Sequence, residues 1–199
     1  MGYGVENFHR RKVNQQEPEM TVYLDFLLRT LDPWSRTIPV PEDSKSYCLE
    51  VGVGRGGTHF LWSQLFDYTI SVDNNFRRTA LAAASFDQEA SCFVCSSSTD
   101  PRTVDLVKGV LNGREVDHLF IDGGHKEDVV TTDYKLYEPL VRKGGVIGFH
   151  DCFANNHNIG VRHFIGKLEK GKITGTPVKL TKVGKSEGPM AFGIAWYVK

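Results

Sequence analysis

Short apolar runs that alternate with helix-like segments are the feature that most constrains how this chain can fold. Between residues 46 and 151 the strand-like runs are SYCLEV, YTISVD, SCFVC, DHLFID and GVIGFHD. One of the intervening helices has a clear start, because Asp100 can cap it and Pro101 suits its first position. This alternation predicts parallel strands joined by right-handed crossovers, which make an open, doubly wound α/β sheet.

The end of the chain departs from this alternation. After a predicted helix at about residues 160–169 come two strand-like runs, TPVKLTKV and MAFGIAWYV, joined by a short segment with glycine and proline. They predict an antiparallel hairpin at the sheet edge. Residues 1–45 contain one amphipathic helix, predicted at about residues 19–31. We therefore expect one domain, residues 46–199, preceded by an N-terminal helical extension, residues 1–45, that serves as a lid.

Composition and charge exclude several classes of function. The formal net charge is zero, so no overall field draws the chain to nucleic acid or to an anionic membrane. No apolar stretch approaches the roughly 20 residues that span a bilayer, and the N-terminus lacks the apolar segment of a secretory signal. We expect a cytoplasmic protein whose partner is a small molecule, with no nucleic acid and no membrane partner. Homo-oligomerisation stays open.

The cysteines include a C-x-x-C pair, Cys92 and Cys95, which is a spacing typical of metal and redox sites. The pair lies in a predicted strand, where an offset of three residues places side chains on opposite faces. Such side chains cannot bind one ion together. We therefore expect reduced thiols here and at Cys48 and Cys152.

A glycine-rich stretch, LEVGVGRGG, follows the first predicted strand and opens a helix. Glycines let the backbone turn tightly and approach a ligand, and the helix N-terminus presents unpaired N–H groups. With Gly52, Gly54 and Gly57 the stretch fits the dinucleotide fingerprint G-x-G-x-x-G. It equally fits the pattern E-x-G-x-G-x-G of S-adenosylmethionine (SAM) binding, formed by Glu50, Gly52, Gly54 and Gly56. Asp73 ends the second strand, where an acid accepts hydrogen bonds from ribose in either case.

Three features favour SAM over a dinucleotide. Glu50 precedes the glycines, where an acid suits an ammonium group and repels a pyrophosphate. The predicted antiparallel tail differs from the parallel strands with which a dinucleotide domain continues. The 199 residues also leave no separate substrate domain for a dehydrogenase.

Three segments together carry a family resemblance: LEVGVGRGG, VDNN, and VDHLFIDGGHKEDVVTTDYKLYEPLVRKGGVIGFHD. They resemble class I SAM-dependent methyltransferases, and more narrowly the group of macrocin and macrolide-sugar O-methyltransferases and cephalosporin-hydroxylase-like proteins. The resemblance covers about residues 45–165, and the closing GIAWYV strand also fits. It implies a Rossmann-like seven-stranded sheet, mostly parallel with an antiparallel C-terminal hairpin. SAM is then expected across the carboxyl ends of the first two strands.

The same resemblance assigns the cofactor residues. It implies that Glu50, Gly52 and Gly54, with Gly56 of the same motif, line the methionine and ribose side, and that Asp73 holds the ribose. Ser97 stands where relatives usually carry an acid near the adenine. Because of this departure, the resemblance supports Ser97 less strongly than the other cofactor-binding candidates.

Two further acids, Asp122 and Asp151, end the fourth and fifth predicted strands. Ligands of open α/β sheets bind outside the carboxyl ends of the strands, so we expect both carboxylates to face one cavity. By resemblance to the metal-using relatives, Asp122 and Asp151 are candidate metal ligands, together with His150. A histidine there departs from the acidic or amide partner of those relatives. Imidazole disfavours Mg²⁺ and suits Mn²⁺ or Fe²⁺, and a metal-free site stays open as the alternative.

His125 completes a D-x-x-H pattern with Asp122. The pattern resembles the general base of the sugar O-methyltransferases, and an unperturbed imidazole suits proton abstraction near neutral pH. The alternative is a turn role for His125 at the start of the next helix. Asp133 is expected to be structural or solvated. Candidates for weaker roles are Asn155, Asn156 and His157 at the acceptor and Gln15 and Gln16 in a lid.

The sequence thus predicts a SAM-dependent O-methyltransferase that acts on a hydroxyl of a small acceptor, such as a sugar or glycan unit. Asp122 and His125 are the expected catalytic residues, with a divalent cation, Mg²⁺ or Mn²⁺, as an open second cofactor. The alternative is a SAM-binding protein of this fold with another role: nitrogen methylation, hydroxylase-like chemistry or no catalysis. An NAD-dependent oxidoreductase is the least favoured interpretation.

Overall fold

The computed structural model describes residues 17–31, 45–155, 159–184 and 193–199. The strands are β1 (Tyr47–Val51), β2 (Tyr68–Asp73), β3 (Ser91–Cys95), β4 (Val116–Ile121), β5 (Val141–Phe149), β6 (Thr181–Gly184) and β7 (Gly193–Val198). The helices are α1 (Glu17–Leu31), α2 (Gly57–Leu65), α3 (Phe76–Ala83), α4 (Pro101–Leu111), α5 (Glu127–Tyr137) and α6 (Ile159–Glu169). None of the helices in these ranges combines the length and apolar character needed to cross a bilayer.

The strands form one seven-stranded sheet in the order β3-β2-β1-β4-β5-β7-β6. The first five strands pair in parallel, whereas β7 runs antiparallel to both β5 and β6. The doubly wound α/β sheet and its antiparallel C-terminal hairpin are confirmed. Strand order reverses between β1 and β4, so the crevice that this topology favours for ligands opens above these two strands.

Each face of the sheet is covered by helices and has its own apolar core. Buried side chains of α4, α5 and α6, among them Val107, Tyr137 and Phe164, pack on one face. On the other face α1 and α2 contribute Leu27 and Trp62. Because both faces are covered, the central strands β1 and β4 are buried along their whole length, as expected for a parallel sheet.

The N-terminal helix α1 is anchored in the second core by Tyr23. Its hydroxyl shares a 2.7 Å hydrogen bond with Nε2 of His118 on β4, and Nδ1 of His118 lies 3.2 Å from the sulfur of Cys48. Burial lowers the pKa of His118 to about 3, so the imidazole is neutral in this apolar setting. Helix α1 is therefore packed against the sheet, and Gln15 and Gln16, the expected lid residues, lie outside the described residues.

The two cysteines of the C-x-x-C pair lie on β3 and differ in environment. Cys92 is half-buried and Cys95 is exposed, and both are free thiols, as are the buried Cys48 and Cys152. The expected alternation of strand side chains explains the difference between Cys92 and Cys95.

Candidate functional site

A cavity of about 690 Å³ opens at the carboxyl ends of the parallel strands. Its walls are the glycine loop after β1, Asp73 and Asn74 after β2, residues 97–99 after β3, and residues 122–126 with Val129 after β4. The volume lies in the range of about 300–1,000 Å³ that is typical of small-molecule sites. The sheet topology thus collects loops from four strands around one ligand-sized space.

The glycine loop takes its shape from left-handed backbone conformations, with φ of 98° at Gly52, 55° at Gly54 and 77° at Gly56. At Gly52 a Cβ atom would overlap the carbonyl oxygen of Asp122, because the loop passes directly against the end of β4. At Gly54 nothing lies within 4 Å of the Cβ position, so a side chain there would occupy open space at the cavity wall. The close approach to β4 therefore requires glycine at position 52, and the positive φ at position 54 favours glycine there.

Asp73 holds this loop in place from the end of β2. One of its carboxylate oxygens accepts hydrogen bonds from the N–H groups of Val53 and Gly54, at 3.1 and 3.3 Å, and the other accepts from Asn75 at 2.8 Å. The carboxylate lines the cavity, as its proposed contact with a ribose requires. Asp73 thus ties the loop after β1 to the loop after β2.

Glu50 lies behind the loop and not at the cavity surface. It is fully buried, and its Oε2 accepts a 2.6 Å hydrogen bond from Ser71. Nδ1 of buried His59 lies 2.7 Å from the same Ser71 hydroxyl, and its Nε2 lies 3.0 Å from Ser91. Burial raises the pKa of Glu50 to about 8, although the Ser71 hydrogen bond opposes this shift. This position does not favour direct contact with a cofactor, and the predicted role of Glu50 stays a prediction.

Ser97 lines the cavity from the loop after β3, and its hydroxyl lies 3.0 Å from that of Thr99. The next residue, Ser98, also lines the cavity, and its carbonyl accepts a 3.0 Å hydrogen bond from Tyr137 of α5. The loop after β3, where the sequence predicts the adenine end, therefore lines the cavity with Ser97, Ser98 and Thr99.

The ends of β4 and β5 bring the other predicted residues together. Ile121 on β4 is in register with Phe149 on β5, so the residues that follow, Asp122 and His150, emerge side by side. Nδ1 of His150 lies 3.3 Å from Oδ1 of Asp122 and 3.2 Å from Oδ1 of Asp151. Although burial lowers the pKa of His150, the two carboxylates outweigh it and raise the value to about 10.

His125 reaches the same cluster from the loop after β4. Its Nε2 lies 3.0 Å from Oδ2 of Asp151, and its side chain lines the cavity with 37% exposure. The Asp151 side chain is only 4% exposed, and its φ of 60° places it in the left-handed region that Asp tolerates better than most residues. The turn after β5 thus aims the Asp151 carboxylate at His125.

The geometry of this cluster fits a divalent cation. One donor atom from each of Asp122, His125 and Asp151 lies within 4.8 Å of the others. Carboxylate oxygens with imidazole nitrogens are a donor set that suits Mn²⁺, Fe²⁺ or Zn²⁺ better than Mg²⁺. The sequence predicts His150 as the third metal ligand beside Asp122 and Asp151. The structure places His150 beside both acids and brings His125 into the same cluster.

The structure adds lining residues that the motifs did not reveal. Arg55, Arg78 and Lys126 line the cavity, and each adjoins a motif in the sequence. Being next to a motif is the only feature of the sequence that points to these three residues. It is a weak indication, because charged residues beside a loop are usually solvated. Asn155 is exposed, and Asn156 and His157 lie outside the described residues.

Comparisons with solved structures agree with this architecture. An rRNA methylase from Streptococcus thermophilus superposes with a TM-score of 0.63 at 11% identity, covering 93% of this chain and 98% of that one. MycE from the mycinamycin biosynthetic pathway, in complex with Mg and S-adenosylhomocysteine (SAH), superposes with a TM-score of 0.58 at 16% identity. That match covers 88% of this chain and 48% of MycE.

The sugar N-methyltransferase KedS8 from Streptoalloteichus sp. ATCC 53650 gives a TM-score of 0.51 at 14% identity, covering 94% of this chain and 62% of that one. At such identities these similarities establish the fold. No curated protein sequence is significantly similar to the chain.

The family model described as a methyltransferase domain matches residues 49–152, just over half of the chain. The match begins on β1 beside the glycine loop and ends directly after Asp151. It therefore spans both the cofactor motif and the cluster at the ends of β4 and β5. The chain belongs to this methyltransferase family and is a SAM-dependent enzyme of class I.

Proposed function

We propose that this enzyme methylates a hydroxyl group of a small acceptor, with a sugar or glycan unit as the expected class. The observation that carries the proposal is the pair formed by His125 and Asp151 at the edge of the cavity, 3.0 Å apart. A base held in this way beside the cofactor loop suits an acceptor whose proton must be removed.

His125 and Asp151 have separate roles in the proposed reaction. When Nε2–H of His125 donates to Asp151, Nδ1 carries the lone pair that accepts the proton of the acceptor hydroxyl. Asp151 fixes the orientation of the ring and stabilises the imidazolium that forms. Fixing the ring in advance lowers the entropic cost of reaching the reactive geometry.

The cofactor residues are the glycine loop with Gly52, Gly54 and Gly56, then Asp73 for the ribose and Ser97 near the adenine. Bound SAM would supply an electrophilic methyl group, and a cation, if held by Asp122, Asp151 and His150, would supply a Lewis acid. His150 bridges the two acids and sets their spacing. Whether His125 or His150 is the histidine ligand is a testable difference within the same cluster.

The test is methyl transfer from isotopically labelled SAM to a panel of hydroxylated and amino sugars, with the methylated atom identified by mass spectrometry and NMR. We expect methyl ethers that form only with intact His125. A product methylated on nitrogen would support the alternative of nitrogen methylation. SAM binding without transfer to any acceptor in the panel would contradict the proposed reaction.

A further inference from the structure

The acids of the cavity already have protein partners. Asp73 accepts three backbone hydrogen bonds from the loops after β1 and β2. Asp122 lies 3.3 Å from the imidazole of His150, and Asp151 lies between His150 and His125. The negative charge around the cavity is therefore largely compensated by the protein's own donors.

The cations of the cavity are different. Arg55, Arg78 and Lys126 are exposed, and in the described part of the chain the structure shows no ion pair or side-chain hydrogen bond for them. The chain has a formal net charge of zero, so this cluster of cations does not reflect a general excess. The uncompensated charge that faces the cavity is positive.

Position separates Lys126 from the two arginines. Arg55 belongs to the glycine loop, and Arg78 lies on α3 beside the loop of Asp73, so both stand at the cofactor end. Lys126 directly follows His125 and occupies the N-cap position of α5, where its side chain makes no capping hydrogen bond. Among the described residues that line the cavity, it is the cation at the acceptor end.

Packing fixes the backbone at Lys126. A Cβ atom on Gly160 of α6 would overlap the carbonyl oxygen of His125 and the nitrogen of Glu127, so α6 presses directly against this segment. The carboxylate of Glu127 is engaged by Lys167 and lies 3.6 Å from His163. Asp128 is exposed and does not line the cavity. No acid from these packed elements neutralises Lys126.

We propose that the acceptor carries an anionic group, a carboxylate or a phosphate, which Lys126 binds while the acceptor hydroxyl reaches His125. This inference rests on the proposed function and specifies its substrate class. SAM carries a net positive charge, so a neutral acceptor would leave the cavity with cations of both protein and cofactor unpaired. An anionic acceptor compensates them and gains attraction in a partly desolvated site.

The test is calorimetry on the SAH-loaded enzyme with glucose, glucuronate and glucose 6-phosphate as probes. We expect at least one anion to bind about tenfold or more tightly than glucose, and the two anions to distinguish carboxylate from phosphate. Lys126→Met should remove most of that preference. The matched control is Lys135→Met, which changes an exposed lysine of the same helix that does not line the cavity and should change affinity less than about twofold.

Equal binding of glucose and both anions, no binding of either anion, or equal effects of the two lysine variants would overturn the inference. The result is separable from the proposed reaction, since calorimetry needs no turnover. If no hydroxyl is methylated but anion binding depends on Lys126, the proposed reaction fails and the anion site stands. If glucose is methylated and also binds as tightly as both anions, the reaction stands and the anion site fails.

Discussion

The two ends of the cavity differ in the groups that form them, which are backbone groups at one end and side chains at the other. At the proposed cofactor end the cavity wall is formed by backbone: glycines with positive φ shape the loop, and Asp73 holds it through N–H groups. At the acceptor end side chains meet side chains, with two histidines and two aspartates within about 3.0–3.3 Å of their partners. We propose that the backbone end binds the cofactor and that the side-chain end carries out the methyl transfer.

The largest expected effect comes from a substitution that disrupts the glycine loop at the backbone end of the cavity. Gly52→Ala forces a side chain into the carbonyl of Asp122 and a positive φ onto a residue with a Cβ atom. We expect a loss of about 3 kcal/mol or more of unfolding free energy and the loss of measurable SAM binding. Thermal unfolding and calorimetry with SAM measure the two effects.

The control for that substitution is Gly109→Ala on α4, where nothing lies within 4 Å of the new Cβ atom. Alanine in a helix interior should leave stability unchanged or raise it by up to about 1 kcal/mol. Equal losses of unfolding free energy in Gly52→Ala and Gly109→Ala would show that the close approach of the glycine loop to β4 does not explain the effect of Gly52→Ala.

A substitution in the side-chain end of the cavity should reduce catalysis without weakening cofactor binding. His125→Ala removes the proposed base, and we expect turnover to fall by about 100-fold or more while SAM affinity stays within about twofold. Steady-state kinetics and calorimetry provide the two values. His163→Ala, which removes an exposed histidine of α6 outside the cavity, should leave both unchanged. If His125→Ala retains its turnover, His125 is not the base and has only a structural role in the turn before α5.

Metal binding at the side-chain end should favour Mn²⁺ over Mg²⁺, because imidazole replaces one oxygen donor. Electron paramagnetic resonance of added Mn²⁺ measures its affinity without any turnover. We expect His150→Ala to weaken Mn²⁺ binding by about tenfold or more, in the range typical of altered metal sites. A larger loss in His125→Ala would identify His125 as the ligand. Failure of the wild-type enzyme to bind Mn²⁺ would identify a metal-free site.

The smallest effect concerns Asp133, which lies behind the wall between the two ends. It is fully buried, its carboxylate oxygens have no hydrogen-bond partner at normal distance in the described structure, and its Oδ2 faces Gly123. Burial raises its pKa to about 6, although the nearby Ser98 hydroxyl favours the charged form. Since the folded pKa exceeds the unfolded one, stability is lost as pH rises from about 4 to 6.

Asp133→Asn should therefore stabilise the protein by on the order of 1–2 kcal/mol at pH 8 and by little at pH 4. Thermal unfolding at the two pH values measures the difference. Asp128→Asn on the exposed side of the same helix is the control and should show no such pH dependence. A stabilisation of Asp133→Asn that is the same at both pH values would exclude the buried charge as its cause.

Much of the fold was predictable because its signals are local and periodic. The alternation of strands and helices predicted the parallel order, and the glycine and proline signals predicted the hairpin of β6 and β7. The meeting of Asp122 and Asp151 followed from one topological rule, since the carboxyl ends of neighbouring parallel strands share an edge.

The details of the site depend on side-chain directions that a sequence does not encode locally. Strand alternation turns Glu50 toward Ser71 and away from the cavity, although it stands next to the glycine motif. The pairing of His125 with Asp151 joins residues that are distant in sequence and depends on the unusual φ of Asp151. The position of Lys126 at the cavity also needs the packing of α6 against α5.

We expect the cavity to hold SAM with its reactive sulfur directed at the side-chain end. A crystal structure of the enzyme with SAH bound tests this most directly. We predict that the ribose hydroxyls lie on Asp73 and that the sulfur faces Asp122 and His125 across the cavity. A complex in which the sulfur faces away from these two residues, or in which SAH lies outside the glycine loop, would contradict the account.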